Sequence, residues 1–304
     1  MQKIIEVKNL KKNYGDVQAV KDISFYVEQG KLFSFLGPNG AGKSTTIDIL
    51  CTLLACDEGE VVVNGYKLGD DDEDIRHSIG VVFQDSVLDA LLTVGENLRL
   101  RAGLYFKDKN KIEQAVRNAA ATVDVLGFID RPYGKLSGGQ RRRADIARAL
   151  VQTPKILFLD EPTTGLDPQT RKSVWTMIQE LKDKTGMTVF LTTHYMEEAA
   201  GSDYVIVIDR GEIAAKGTPA ELKARFASDI LRLVCKDERQ LCAALNEMAC
   251  AYTQVADQMI VKLKDTLDAL PIIEKCRAFI YGFEVLRGTM DDAFIAITGK
   301  GLRE

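Results

Sequence analysis

A glycine-rich segment near the N-terminus has the residue types needed to hold phosphate. The sequence GPNGAGKS, Gly37 to Ser44, matches the pattern G-x-x-x-x-G-K-[ST] and lies between an apolar run and a helix-like run. Glycines let successive backbone N–H groups converge on phosphate oxygens, and a helix that begins there presents further unpaired N–H groups. Lys43 adds a positive charge at the β- and γ-phosphates, and Ser44 offers a hydroxyl to Mg²⁺. The segment, here named the lysine loop, therefore predicts a nucleotide site rather than a glycine-rich turn with a surface lysine. Its residues are Gly37, Pro38, Asn39, Gly40, Ala41, Gly42, Lys43, Ser44 and Thr45.

Two adjacent carboxylates follow another apolar run. The residues from Ile156 to Leu159 are apolar and precede Asp160 and Glu161. Both acids are therefore expected at the carboxyl end of a buried strand, where ligands bind in open α/β sheets. There Asp160 can hold Mg²⁺ directly or through water, while Glu161 can accept a proton from an attacking water or orient it. Taken alone, an apolar run that ends in Asp-Glu-Pro fits a strand end and a turn equally well. The lysine loop favours the catalytic interpretation.

A second glycine pair raises the question of a second phosphate contact. The sequence LSGGQ precedes a helix-like run that begins at Arg141. Small or absent side chains at Ser137, Gly138 and Gly139 leave a helix N-terminus open to an anion. In isolation, however, Ser-Gly-Gly fits a helix-capping turn better than a binding site.

Together these motifs resemble those of the ATP-binding cassette (ABC) ATPases, the motor subunits of ABC transporters. LSGGQ is that family's signature motif, and residues 136–140 are named the signature loop here. In the family two cassettes pack head to tail, and each ATP lies between the lysine loop of one subunit and the signature loop of the other. The resemblance covers residues 4–217 and implies that Ser137, Gly138, Gly139 and Gln140 contact the ATP of a second subunit.

Four further residues match family motifs one by one. The resemblance implies that Gln84 reaches Mg²⁺ and senses the membrane partner, that Asp167 belongs to the loop crossing the dimer interface, that His194 contacts the γ-phosphate, and that Tyr14 stacks on adenine. Each has a simpler alternative: a surface glutamine, a helix N-cap, a structural histidine and a packed aromatic. With the earlier motifs, the expected catalytic residues are Lys43, Glu161 and His194, and the expected Mg²⁺ ligands are Ser44, Gln84 and Asp160.

The elements that must position these residues alternate between strands and helices. Residues 4–63 are rich in strand patterns, interrupted by one helix after the lysine loop, whereas residues 93–153 have helical spacing almost throughout. Strand patterns return in KILFLD, TVFLTTH and YVIVIDRGEIAAKG, with a helix from Gln169 to Asp183 between the first two. We expect an α/β P-loop cassette over residues 1–219, with a mostly parallel sheet core, an N-terminal antiparallel β part and a helical insertion.

The remaining residues, 220–304, follow a different order. The succession is β, α, β, β, α, β, α, which matches the split βαβ arrangement of a small ferredoxin-like α+β domain. The ending RGTMDDAFIAITGKG resembles that of bacterial exporter ATPases of the daunorubicin-resistance type.

Composition narrows the class of protein. The chain has 304 residues, 46% hydrophobic and 28% charged, with a net charge of -4, so nucleic acid is not expected as a partner. No apolar run approaches the ~20 residues that cross a bilayer, and no signal peptide is visible. Six cysteines without a C-x-x-C pair and two histidines argue against a disulfide framework or a zinc site. The acidic run from Asp70 to Asp74 is expected to be a solvated loop.

The sequence therefore predicts the ATP-binding and ATP-hydrolysing subunit of an ABC transporter, with ATP and Mg²⁺ as cofactors. The resemblance favours a multidrug- or lipid-type exporter. We expect the chain to work as a dimer, most simply a homodimer, with separate transmembrane permease subunits. The chain itself is expected in the cytoplasm, peripherally attached to the inner face of the cell membrane. The alternative is a soluble ABC ATPase that acts as a clamp on nucleic acid or the ribosome. Such proteins usually carry two cassettes or a long coiled coil, whereas this chain has one lysine loop. A non-hydrolysing regulatory module would be favoured by loss of Glu161 or His194, and both are present.

Overall fold

The computed structural model describes residues 2–299, which form two compact units that divide between Thr218 and Pro219. Lys300 and Gly301, at the end of the daunorubicin-type tail motif, lie outside the described residues. Among residues 2–299, no helix combines the length and the apolar character needed to cross a membrane. The strands of the first unit are β1 Lys3–Tyr14, β2 Val17–Glu28, β3 Leu32–Leu36, β4 Glu58–Val63, β5 Tyr66–Lys67, β6 Ile79–Val82, β7 Ile156–Asp160, β8 Thr188–Thr193, β9 Tyr204–Asp209 and β10 Glu212–Gly217.

These strands form two sheets. The first is antiparallel, with the order β2-β1-β4-β5, and it is the predicted N-terminal β part. The second has the order β10-β9-β3-β8-β7-β6, and its strands are parallel except for β10. Every residue of β3, β7 and β8 is buried, as expected for parallel strands covered on both faces. The predicted parallel core is confirmed.

The core between the two sheets is aromatic. Phe25 of the antiparallel sheet stacks on Phe33 of β3, with ring centroids 5.8 Å apart. Phe33 in turn stacks on Phe190 of β8 at 5.1 Å, and Phe158 of β7 lies 5.3 Å from Phe190. Such ring pairs add to the area they bury, and they fix the strands that end at the candidate site.

The helices of the first unit include the predicted helical insertion, which comprises α3, α4 and α5. Thr93 and Ser137 each begin their helix with a capping box, in which the cap side chain and the residue three positions later bond each other's backbone N–H. The helices are α1 Lys43–Leu50, α2 Asp72–Ser78, α3 Val94–Gly103, α4 Lys109–Thr122, α5 Gly138–Leu150, α6 Pro168–Thr185 and α7 Met196–Ala200.

The acidic run from Asp70 to Asp74 is expected to be a solvated loop, and this expectation is wrong for its last three residues. Asp72, Glu73 and Asp74 form the first turn of α2, where negative side chains are favoured by the partial positive charge of a helix N-terminus. Asp71 and Asp72 accept hydrogen bonds from the backbone N–H groups of Lys67 and Gly69, at 2.9 and 2.7 Å. The run therefore begins a helix rather than filling a loop.

The second unit has the predicted order of elements after one additional helix, α8. Its elements are α8 Pro219–Phe226, β11 Asp229–Cys235, α9 Glu238–Glu247, β12 Tyr252–Val255, β13 Gln258–Leu263, α10 Ala269–Cys276, β14 Ile280–Leu286 and α11 Met290–Thr298. The strands pair antiparallel in the order β12-β13-β11-β14, so the two βαβ halves interleave as in a ferredoxin-like domain. Leu231, Leu233, Leu241, Leu245 and Met259 are completely buried in its core.

Candidate active site

The lysine loop connects the end of β3 to the start of α1, and its glycines are required by close backbone contacts. A Cβ added to Gly37 would lie 2.4 Å from the carbonyl oxygen of Ile208, and one added to Gly42 would lie 2.5 Å from that of Ala19. Gly42 also has φ of 102°, which residues with a side chain rarely adopt. The loop can therefore curl tightly enough to start α1 at Lys43.

Lys43 is buried and already holds three oxygen partners. Its Nζ donates to the carbonyls of Gly37 and Pro38, at 2.8 and 3.1 Å, and lies 3.1 Å from Oε1 of Glu161. Because an ammonium group has three N–H donors, a phosphate oxygen would replace one of these partners. The ammonium group is thus held at the loop, ready for an anion.

Glu161 connects the lysine to the histidine. While Oε1 faces Lys43, Oε2 lies 3.1 Å from His194 Nδ1 and accepts a hydrogen bond from the Thr164 hydroxyl at 3.1 Å. Burial raises the pKa of Glu161, but the His194 hydrogen bond and the charge of Lys43 outweigh it and lower the pKa to about 2. The carboxylate is therefore ionised at any pH near neutrality.

Asp160, at the end of β7, lies beside Ser44 in the first turn of α1. The Ser44 hydroxyl is 3.4 Å from Asp160 Oδ1, and Thr192 of β8 donates to the same carboxylate oxygen. The described residues contain no group of three or more His, Cys, Asp or Glu side chains suited to a metal. One carboxylate, one hydroxyl and one nearby glutamine amide nevertheless suit Mg²⁺, which keeps several waters and takes its other oxygens from phosphates.

A polar cavity of about 480 Å³ brings most of the predicted nucleotide-binding residues together. Tyr14 is half exposed at its lining, and Gln84 enters the lining from the segment after β6. Gly37, Pro38 and Ala41 are not part of this lining, although the carbonyls of Gly37 and Pro38 accept hydrogen bonds from Lys43. The lining comprises Tyr14, Ala19, Asn39, Gly40, Gly42, Lys43, Ser44, Thr45, Gln84 and Glu161.

The signature loop does not line that cavity. Ser137 Oγ accepts from the Gln140 N–H at 3.3 Å, while Gln140 Oε1 accepts from the Ser137 N–H at 3.2 Å. A Cβ added to Gly139 would lie 2.6 Å from Thr170 Cγ2, so the loop packs beside the start of α6. Asp167 caps that helix, with Oδ1 accepting from the Thr170 N–H at 2.9 Å. The simpler interpretation of Asp167, a helix N-cap, therefore accounts for its contact within this single chain.

Several residues of the site left no recognisable signal in the sequence. Glu198 is buried, and its two carboxylate oxygens accept the hydroxyls of Thr163 and Thr193, the latter at 2.6 Å. Burial raises the pKa of Glu198, against the lowering effect of those hydroxyls. The pairing ties the loop after Glu161 to β8, which ends just before His194, and only the folded structure brings these positions together.

Comparison with known proteins agrees with this geometry. A family model described as ABC transporter matches residues 20–164. The chain is 35% identical over 309 residues to the doxorubicin resistance ATP-binding protein DrrA of Mycobacterium tuberculosis, covering 97% of this chain and 93% of that protein. It is 37% identical over 308 residues to the daunorubicin/doxorubicin resistance ATP-binding protein DrrA of Streptomyces peucetius, covering 97% and 92%.

Solved structures give the same result for the fold. The dimeric ATP-binding cassette MJ0796, in a post-hydrolysis state with ADP and Pi, aligns with a TM-score of 0.63 at 30% identity, over 70% of this chain and 98% of that one. The cbiO1 protein of Clostridium perfringens, part of the ABC transporter complex cbiONQ, aligns with a TM-score of 0.69 at 29% identity, over 81% and 96%. The α/β cassette predicted from the motifs is thereby confirmed. Since relatives match over nearly the whole of both chains and the lysine, carboxylate and histidine converge as hydrolysis requires, the chain belongs to the ABC transporter family, as its ATP-binding and ATP-hydrolysing subunit.

Proposed function

We propose that this chain binds ATP with Mg²⁺ beside the lysine loop and hydrolyses it when a second cassette closes over the nucleotide. In this proposal it drives an exporter whose membrane-spanning part is a separate subunit. The observation that carries the proposal is the 3.1 Å contact between Lys43 Nζ and Glu161 Oε1 in the lining of one polar cavity. That contact joins a residue suited to the γ-phosphate to one suited to activate water.

Arrival of ATP changes the partners of Glu161. The γ-phosphate competes for Lys43 and His194, which are the two groups that lower the pKa of this carboxylate. Once they turn to the phosphate, the pKa of Glu161 rises toward its ordinary value and the carboxylate becomes a stronger base. Glu161 then accepts a proton from the attacking water, while Lys43 and His194 stabilise charge on the γ-phosphate oxygens.

Three residues are suited to hold the magnesium ion of the nucleotide. Ser44 and Asp160 supply a hydroxyl and a carboxylate 3.4 Å apart, and Gln84 lines the same cavity as Ser44. When bound, Mg²⁺ would neutralise charge on the β- and γ-phosphate oxygens. The chain contributes the side-chain oxygens of Ser44, Asp160 and Gln84, which it presents at one edge of the sheet.

The proposal includes a second cassette because the signature loop does not line the chain's own cavity. Ser137 and Gly138 are exposed, and their helix N-terminus offers N–H groups to an anion from outside. In the proposed dimer, Ser137 to Gln140 and Asp167 meet the ATP held by the partner. A homodimer is the simplest arrangement, since one chain supplies both halves.

The proposal of export rests on the relatives. Besides the two DrrA proteins, the chain is 39% identical over 232 residues to the linearmycin resistance ATP-binding protein LnrL of Bacillus subtilis, covering 75% of this chain and 73% of that protein. We infer an amphipathic drug-like or lipid-like substrate, chosen by membrane subunits, with this chain attached to them at the cytoplasmic face of the membrane.

A transport assay tests the proposal. The gene is disrupted in its host and restored either as wild type or as Glu161→Gln, and accumulation of the fluorescent drug doxorubicin is measured. We expect the wild-type gene alone to lower accumulation, and both proteins to sediment with membranes. Equal accumulation with both genes across amphipathic drugs and fluorescent lipids would exclude the export function.

A further inference from the structure

A buried charged cluster on α5 has no part in the chemistry described above. Arg142 and Asp145 are both at least nine-tenths buried, and the Arg142 Nη1 atom lies 4.0 Å from Asp145 Oδ2. Burial lowers the pKa of Arg142 and raises that of Asp145. Both groups are thus held in a place that disfavours their charge. Buried ion pairs are frequently no more stable than apolar side chains of the same size, so stability alone does not account for this pair.

The partners of the cluster are the residues around Gln84. Arg142 donates from Nη1 to the carbonyl of Phe83 at 2.8 Å and from Nη2 to the carbonyl of Gln84 at 3.0 Å. Asp145 accepts the hydroxyl of Ser86 at 2.6 Å. One planar guanidinium therefore holds two successive carbonyls, and the carboxylate three residues later holds the end of the same segment, residues 83–86, here named the glutamine segment.

Two more contacts complete the attachment. The Tyr133 hydroxyl donates to Asp145 at 3.2 Å, and Arg148 donates to the carbonyl of Val81 in β6. Arg142, Asp145 and Arg148 are spaced three residues apart, so they lie along one face of α5. That face of α5 therefore forms hydrogen bonds with β6 and with the glutamine segment, which together place Gln84 in the lining of the nucleotide cavity.

We propose that Arg142 is a positioning residue for Gln84, fixing its backbone to the helix that carries the signature loop. The inference rests on the proposed role of Gln84 at the phosphates. It also explains the choice of arginine, because a lysine cannot donate in a fixed fork to two neighbouring carbonyls. Since α5 begins at the signature loop, the cluster ties the segment that lines one ATP cavity to the helix expected to serve the other ATP.

The test is a double-mutant cycle on ATP hydrolysis by the full chain. The variants are Arg142→Met, Arg142→Lys, Gln84→Ala and the combination of Arg142→Met with Gln84→Ala. The adjacent Arg143→Met is the matched control, because the guanidinium of Arg143 bonds Val123 and Ser173 instead, at 3.3 and 3.1 Å. We measure kcat, KM, ATP affinity and the thermal unfolding midpoint of each.

Arg142→Met is expected to lower kcat by about 10- to 100-fold, the scale of an ångström-sized misplacement, with ATP affinity changed by less than about twofold. Arg142→Lys should retain more activity, since it keeps a charge beside Asp145. The combined variant should hydrolyse ATP no more than about twofold slower than Gln84→Ala alone, because Arg142 acts through Gln84.

Two results overturn the inference: a kcat for Arg142→Met equal to that of Arg143→Met, or defects that multiply in the combined variant. If Arg142→Met does not fold, Arg142→Lys and Ser86→Ala carry the same comparison with Gln84→Ala. Normal turnover by Gln84→Ala is a different failure, because it refutes the role of Gln84 itself and removes the reason for holding it.

Discussion

The lysine loop and the signature loop have the same local design but different surroundings. Each is a glycine-rich turn that opens a helix, α1 in one case and α5 in the other. The lysine loop lies against a buried ammonium, a carboxylate and an imidazole joined by 3.1 Å contacts. At the signature loop, Ser137 and Gln140 satisfy each other in a capping box at the surface.

In this chain, the catalytic side chains converge on one helix N-terminus, that of α1, and not on that of α5. The partial charge at a helix end is worth about 1 kcal/mol or less at an exposed position, which is too little for tight nucleotide binding. At the lysine loop, Lys43 and the charged groups around it supply the additional binding free energy. In the proposed dimer, the signature loop contacts the ATP that is held by the other subunit.

The largest predicted effect concerns Glu161, the general base of the lysine-loop site. Glu161→Gln keeps the shape of the side chain and removes its ability to accept a proton, so hydrolysis should fall by about 10²- to 10⁴-fold while ATP binding persists. Steady-state hydrolysis and nucleotide titration measure the two quantities. The exposed Glu197→Gln, on the same stretch as His194, is the matched control; a Glu161→Gln rate close to that control would refute the assignment.

The second prediction concerns the charge that the signature loop lacks. Lys43→Ala removes a charge-assisted phosphate contact worth about 1.5–3 kcal/mol, so ATP should bind about 10- to 150-fold more weakly. Isothermal calorimetry with a non-hydrolysable ATP analogue gives the affinity, and the exposed Lys172→Ala serves as control. Unchanged affinity in Lys43→Ala would remove the main distinction between the two loops.

The third prediction concerns the buried carboxylate that supports the catalytic side. Glu198→Gln leaves one oxygen acceptor for the two threonine hydroxyls, so the free energy of unfolding should fall by about 1–3 kcal/mol. Urea unfolding beside Glu197→Gln measures the loss at neutral pH. Equal stability of the two variants would show that the Thr163 and Thr193 contacts are dispensable.

The smallest predicted effect is a pH dependence carried by Glu161. Its pKa of about 2 lies below the ordinary 4.5, so its stabilising contribution is fully present above the ordinary value and is lost as pH falls toward 2. Between about pH 5.5 and 3.5 the wild type should lose about 1 kcal/mol more stability than Glu161→Gln. Urea unfolding of both proteins across this range measures the difference. Parallel losses would mean that Lys43 and His194 do not hold the carboxylate in its charged form.

The sequence predicted the elements that repeat a local pattern. Examples are the lysine loop, the buried strand before Asp160 and the βαββαβ order of the second unit. Each is recognised from the spacing of residue types within a short continuous segment. The contact of Glu198 with Thr163 and that of Arg142 with Phe83 could not be predicted, because these partners lie 35 and 59 residues apart along the chain. Charge counting also misjudged Asp72 to Asp74, since it ignored the stabilisation that a helix N-terminus gives to acids.

The central claim is that the signature loop completes the site of a different subunit, and a mixture of two inactive variants tests it. Ser137→Arg places a bulky side chain at the phosphate contact, so it should abolish hydrolysis while ATP still binds at Lys43. In a heterodimer of Ser137→Arg with Glu161→Gln, a shared-site arrangement puts both defects into one site and leaves the other intact. If each signature loop served its own chain, both sites would be defective.

The measurement is the ATPase rate of Ser137→Arg protein mixed with an excess of Glu161→Gln protein, compared with each alone. We predict that activity returns in the mixture although neither variant hydrolyses ATP by itself. A mixture no more active than its two components, or a Ser137→Arg protein that hydrolyses ATP at the wild-type rate, would contradict the account.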